Sequence, residues 1–226
     1  MQMLSFRSTT LFLSLLFLLN LSTCAPAQKS SKPTTNFTGT IRYQQPRQLL
    51  EANFRITPVD NTINVIYPTL FGTAMAPFEP TGPGNYRTRR NLPFPTTLQL
   101  TAPCSDGPNC PLSLNFQPPF SDSIPRELSK SQSAIFPVGT VGLTKAESLI
   151  IFFEPADHST PRRIQLVGPT STGNLTLRKE AISDIPAGEY LVYLVKQGVQ
   201  KDSSAALVSS VQMEYFTKSK PVLVTE

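Results

Sequence analysis

The chain predicts an all-β protein built as antiparallel β-sandwiches, and three observations carry that expectation. Apolar and polar residues alternate over several short runs, the period of a strand with one buried face. Phe37, Ile41 and Tyr43 alternate with Thr38, Thr40 and Arg42, and Val211, Met213 and Tyr215 alternate with Gln212 and Glu214. Two other runs, residues 149–153 and 190–195, are unbroken stretches of aliphatic and aromatic residues, as in strands covered on both faces. Proline supplies 22 of the 226 residues, about twice the ordinary share. Its even spread reads as punctuation between strands.

The first element is a leader. Arg7 is the only charge before position 29, and residues 11–19 are apolar except for Ser14. That run falls short of the roughly 20 residues a membrane-spanning helix needs. A charged start, a short apolar core and small residues behind it describe a secretory signal. Leu21-Ser22-Thr23-Cys24 resembles the lipobox of bacterial (Bacteroidota-like) lipoproteins, with Thr23 standing where Gly, Ala or Ser is usual. The resemblance implies that Cys24 takes diacylglycerol and becomes the mature N-terminus. A second cut is open after Ala27, because Ala25-Pro26-Ala27 fits an A-x-A site for ordinary secretion. Residues 25–35 are small and polar, with Lys29 and Lys32, and are expected to be a flexible tether. In some lipoproteins an acidic stretch behind the cysteine marks export to the cell surface; its absence here favours a periplasm-facing anchor.

Strands are expected from Asn36 onward. Residues 37–43 and 50–56 flank Gln44-Gln45-Pro46-Arg47 and predict an antiparallel hairpin. Asp60-Asn61 turns the chain into a strand at 63–67. Between 68 and 95, Pro77, Pro80, Gly82, Pro83 and Gly84 interrupt any period and predict a long Pro/Gly-rich loop. That loop holds Tyr86, Arg87, Arg89 and Arg90, a candidate binding site for an anion or a glycan. Leu98 and Leu100 run into Cys104, while Leu112, Leu114 and Phe116 run out from Cys110. Cys24 is acylated or removed under either cut, so Cys104 and Cys110 remain as a pair in an oxidising compartment. They flank the turn-forming Ser-Asp-Gly-Pro-Asn, and a disulfide there contributes about 2–3 kcal/mol. Residues 117–133 read as a crossing loop, with one helical turn in 123–131.

The second half carries strands at 149–153, 162–167, 175–177, 189–196 and 205–216, a short helical link at 181–185, and a final edge strand at 221–225. Pro186-Ala187-Gly188-Glu189-Tyr190-Leu191-Val192-Tyr193 resembles the proline-x-glycine-x-tyrosine opening of strands in immunoglobulin-like and fibronectin-like modules. The resemblance implies an immunoglobulin-like sandwich in the C-terminal half, without the tryptophan and cysteine pair of antibody domains. The expected organisation is a signal peptide at 1–24, a tether at 25–35, a β domain at 36–120, a linker at 121–133 and a β-sandwich domain at 134–226. A single β domain over 36–226 is the alternative.

Charge and residue counts narrow the chemistry. Lys and Arg total 20 against 15 acidic residues; removal of Arg7 with the leader leaves 19 − 15 = +4. That balance suits proximity to an anionic membrane and is too weak to indicate nucleic acid. His158 is the only histidine, so sites built on two or three histidines do not arise. Asp157-His158-Ser159 are chain neighbours, a spacing that does not form a Ser-His-Asp triad, and no G-x-S-x-G elbow is present. No D-x-[DN]-x-[DN]-G calcium loop and no G-x-x-x-x-G-K phosphate loop occur. Asn36-Phe37-Thr38 and Asn174-Leu175-Thr176 match glycosylation sequons, which matter only in a eukaryotic host.

The sequence therefore predicts an exported, lipid-anchored envelope protein of binding or structural type. It is expected to have no catalytic residues, cofactor or metal, to contact the membrane through its anchor, and to take a protein or glycan ligand but no nucleic acid. The sandwich-end loops around 158–163 are a further candidate surface. A glycan-binding or glycan-processing role would place Tyr86, Phe94 and Phe120 along one open groove. An enzyme would need two carboxylates converging across a cleft. A freely secreted protein is the alternative localisation.

Overall fold

A computed structural model of the protein describes residues 35–57, 67–78, 84–95, 97–105, 107–122 and 124–226. All of these lie in one compact unit, Lys32–Glu226. The leader, Cys24, most of the tether and the strand expected at 63–67 fall outside the described residues, apart from Thr35 and Tyr67.

The described residues are almost all β. In order the strands are β1 (Thr35–Gln44), β2 (Leu49–Thr57), β3 (Thr69–Leu70), β4 (Thr73–Ala74), β5 (Ala76–Pro77), β6 (Asn85–Asn91), β7 (Thr97–Cys104) and β8 (Gly107–Asn115). There follow β9 (Glu127–Ser129), β10 (Ala134–Pro137), β11 (Glu147–Pro155), β12 (Arg162–Val167) and β13 (Asn174–Leu177). After the one-turn helix α1 (Lys179–Ser183) come β14 (Gly188–Ser203), β15 (Leu207–Phe216) and β16 (Lys220–Thr225). One large sheet runs β12-β11-β14-β15-β1-β2-β6-β5, with β16 pairing both β14 and β9. A second sheet, β4-β3-β7-β8, and a pair, β10-β13, supply the opposing layers.

Two cores lie between the layers. One gathers Phe37, Ile41, Phe54, Leu98, Leu100, Leu114, Val211 and Tyr215, and the other gathers Phe136, Leu149, Ile151, Phe153, Leu175, Val192 and Val222. The inward residues of each strand follow the two-residue period, which is why the large sheet has one apolar face along most of its width. β15 lies far along the chain yet pairs in parallel with β1, Thr35 against Leu207 through Gln44 against Phe216. Its Val211, Met213 and Tyr215 thereby complete the core around β1.

The expected β1–β2 and β7–β8 hairpins form, and Cys104 and Cys110 are bonded across the second. The disulfide turn is tied down at the carbonyl of Ala206, which accepts from the backbone N–H groups of Thr35 and Ser105, each at 3.3 Å, and from the Ser105 hydroxyl. The strand that starts at Gly188 opens under a tyrosine: Tyr190 Oη donates to the Pro186 carbonyl at 2.8 Å. Such a back-bond fixes the angle at which a sandwich strand enters its sheet.

Three sequence expectations are corrected. The stretch 68–95 is not one long loop: it holds the two-residue strands β3, β4 and β5, and residues 85–91 are the strand β6, paired with β2 from Leu49–Asn91 to Arg55–Asn85. Polar residues on both faces hid this strand from a hydrophobic reading, while the neighbouring β2 supplies the backbone partners that hold it. Residues 123–131 hold no helical turn among the described residues; Glu127–Ser129 is β9, recruited because Leu128 fills the second core and β16 offers an edge. β16 in turn is not an edge strand but lies between β14 and β9.

Candidate functional site

Strand alternation settles where the four candidate residues point. Arg87 and Arg89 pair with Asn53 and Glu51 of β2, whose side chains leave the core, whereas Tyr86 and Arg90 pair with Phe54 and Leu50, which enter it. Tyr86 packs on the first core, with Tyr67 set edge-on at 6.0 Å. Only Arg87 and Arg89 therefore reach the outer face of the large sheet.

On that face the register brings further polar residues beside them. Arg42 of β1 sits opposite Glu51 on one side and Glu214 of β15 on the other. Its Nε and Nη2 both donate to Glu214 Oε2, at 3.0 and 2.8 Å, and its guanidinium lies 5.3 Å from the Phe216 ring centre. Glu214 Oε1 accepts from Gln197 and Gln212, each at 3.1 Å, so this carboxylate is fully occupied. Glu51 is shared between Arg89 at 3.3 Å and Arg87 at 3.9 Å. Arg55, exposed beside Thr38 and Asn85, has no ion pair among the described residues. Among the described residues, four guanidinium groups from three adjacent strands thus face two carboxylates on this surface, an excess of two positive charges.

Next to them lies a shallow hollow of 290 Å³ lined by Thr38, Thr40, Asn53, Arg55, Phe78 and Asn85. The Arg87 guanidinium is 5.4 Å from the Phe78 ring centre at its rim. Hydroxyls, amides and forked guanidinium donors on rigid strands suit a ligand rich in oxygen acceptors. Arg42, Glu51, Arg55 and Glu214 were not singled out from the sequence. The alternation of Thr40-Arg42 and Glu51-Asn53-Arg55 was the available signal; the β1–β2 hairpin joins these two runs, and pairing over 172 residues adds Glu214.

The remaining candidates are dispersed. Phe94 packs edge-on against Tyr43 and Tyr215 at 5.0 Å each, within the first core. Phe120 lines a separate hollow with Gln45, Pro119 and Tyr215. Tyr86, Phe94 and Phe120 do not share a groove. His158 is exposed, with φ of +61° in the turn that joins β11 to β12, and Arg162 and Arg163 belong to β12. Asp157 and Glu189 line a hollow of 370 Å³ with Ser159 and Arg162. Hydrogen bonds from Ser159 hold the Asp157 carboxyl below its usual range, which makes it a poor proton donor.

One buried ion pair lies beneath a wider groove lined by Phe116, Glu147, Gly198 and Met213, 880 Å³ in volume. Lys196 Nζ meets Glu147 Oε1 at 2.7 Å, donates to the Gln117 carbonyl at 3.1 Å and lies 5.1 Å from the Phe116 ring centre. A Cβ on Gly198 would stand 3.2 Å from the Phe116 ring and 3.4 Å from Glu147 Cγ, so the missing side chain makes room for both. Among the described residues no group of three or more His, Cys, Asp or Glu side chains could hold a metal ion.

No protein-family model, curated protein or solved structure matches this chain.

Proposed function

We propose that this is an exported, lipid-anchored envelope protein that works by binding, with an acidic polysaccharide held on the outer face of the large sheet. The observation that carries the reading is the projection of Arg42, Arg55, Arg87 and Arg89 from three neighbouring strands, against Glu51 and Glu214 alone among the described residues. A long anionic chain can lie along such a face, its carboxylates taken by guanidinium forks and its hydroxyls by Thr38, Thr40 and Asn53. The aromatic platform of a neutral-sugar groove is not assembled, because Tyr86 and Phe94 pack on the core. The leader and Cys24 support export and anchoring from the sequence side.

The test is equilibrium binding to polygalacturonate, with neutral dextran as control. The wild-type protein is expected to bind the acidic polymer, to release it as salt rises toward 0.5 M, and to ignore dextran. The double variant Arg55→Gln/Arg87→Gln is expected to weaken binding at least tenfold. Equal affinity of variant and wild type would contradict the reading.

Anchoring has its own readout. The intact mass of protein from the native membrane fraction is expected to begin at Cys24 with acyl chains attached. A mass beginning at Gln28, recovered from the medium, would instead establish the cut after Ala27.

A further inference from the structure

Beyond the polysaccharide face, the sheet has a free edge that is built to take a further strand. β12 ends the large sheet, and nothing among the described residues pairs with its outer side. Gly168 N–H donates to the Glu147 carbonyl at 3.0 Å, which sets the alternation along the β11–β12 pair. Leu166, Ile164 and Arg162 then share the bonds to β11, while Arg163, Gln165 and Val167 turn their N–H and C=O groups to the open edge.

The side of the sandwich beside this edge is also open. A hollow of 500 Å³ is lined by Gln165, Leu166 and Val167 of β12, by Thr170 and Thr172 of the connecting loop, and by Leu175 of β13. Among the described residues β13 bonds only to β10, leaving its own far edge unpaired. Ile164 and Leu166 face the second core but are only half-buried, since no strand covers them laterally. At the start of β12 stand Arg162 and Arg163, both exposed and neither in an ion pair among the described residues.

We infer that β12 binds an extended segment of another protein by strand addition, with acidic residues at the end that meets Arg162 and Arg163. The backbone of Arg163, Gln165 and Val167 supplies the ladder, apolar side chains of the added strand cover Ile164 and Leu166, and the arginines set its placement. A second copy of this chain fits less well as occupant, because its own β12, Arg162–Val167, carries no acidic side chain to meet Arg162 and Arg163.

The probe is a fluorescein-labelled octapeptide that alternates valine and threonine and carries two aspartates at the end facing Arg162 and Arg163, read by anisotropy against a version with two lysines. The aspartate peptide is expected to bind at least tenfold more tightly. It is expected to slow amide exchange at Gln165 and Val167. Gln165→Pro removes an N–H that β11 does not use, and is expected to abolish binding while leaving the circular dichroism spectrum unchanged. If that variant does not fold, Arg163→Glu decides: it is expected to reverse the preference between the two peptides. Equal binding of both peptides, or a preference unmoved by Arg163→Glu, overturns the inference. So does sedimentation showing that this edge is covered by a second copy.

Discussion

Lys196→Met is expected to lower the free energy of unfolding by about 3–5 kcal/mol, because it strands a carboxylate in the interior. Lys196 sits on β14 in the middle of the large sheet, on the face that otherwise carries Val192 and Leu194 into the cores. Its side chain is 9 % exposed and that of Glu147 15 %. With the ammonium gone, Glu147 keeps only its hydrogen bonds with Thr144, the backbone N–H at 2.8 Å and the side chain, among the described residues. The cost is that of leaving the partner unpaired rather than the net value of the pair, so the double variant Lys196→Met/Glu147→Leu is expected to recover most of the loss. Urea unfolding of the two variants separates these terms; a double variant as unstable as the single one would contradict them.

The same pair gives the protein an acid limit. Burial alone would raise the Glu147 carboxyl, but the hydrogen bond and charge of Lys196, with help from Thr144, bring it below its ordinary value of 4.5. A carboxyl lowered by folding contributes stability at any pH above its unfolded value, and that contribution is lost as pH falls through the folded one. The loss therefore belongs to the acid side of 4.5, and Glu147→Gln is expected to flatten it.

Phe37→Ala is the second large effect, also about 3–5 kcal/mol. Phe37 is fully buried on β1, its ring stacked on that of Phe54 at 4.7 Å and 20°. β1 joins β15 on one side to β2 on the other, so a void here opens under the centre of the large sheet. The neighbouring Gly39 leaves no slack: a Cβ there would collide with the Phe54 ring and the Asn53 carbonyl, a sign of how closely β1 and β2 approach. Phe152→Ala is the matched control. Phe152 also stacks, on Tyr193 at 5.0 Å and 10°, but on the half-exposed outer face. Its loss is expected to cost only about 1–2 kcal/mol. Similar losses for both phenylalanines would mean that the core around β1 is not where stability is concentrated.

Much of this fold is legible in local pattern. The alternations at 37–43, 50–56 and 211–215 and the apolar runs at 149–153 and 190–195 each became a strand, and Cys104 and Cys110 marked the hairpin between β7 and β8. What local pattern does not contain is partnership. Nothing in residues 35–44 says that their parallel neighbour lies at 207–216, so the merging of both halves into one sheet was out of reach. β6 was missed because Arg87, Thr88, Arg89 and Arg90 offer no apolar period, although threonine and long-stemmed arginines are at home in a paired, half-covered strand.

The candidate site shows the same division. Arg87 and Arg89 stood out by charge, and Tyr86 and Arg90 were grouped with them because a loop imposes no facing. Once the segment is a strand, alternation separates the pairs, and the register substitutes Arg42 and Arg55 as neighbours. The aromatics fail for a related reason. Tyr86 and Phe94 are ring contacts of the core rather than a platform, and burial together with Tyr43 raises the Tyr215 hydroxyl to about 12, keeping it neutral.

The most direct test of the polysaccharide face is a residue-resolved one. Backbone amide shifts recorded during titration with short oligogalacturonates should move at Thr38, Thr40, Asn53, Arg55, Asn85 and Arg87, and the movement should fade as salt is added. Shifts confined to other surfaces, or none at saturating ligand, would contradict the assignment of this face as the binding surface.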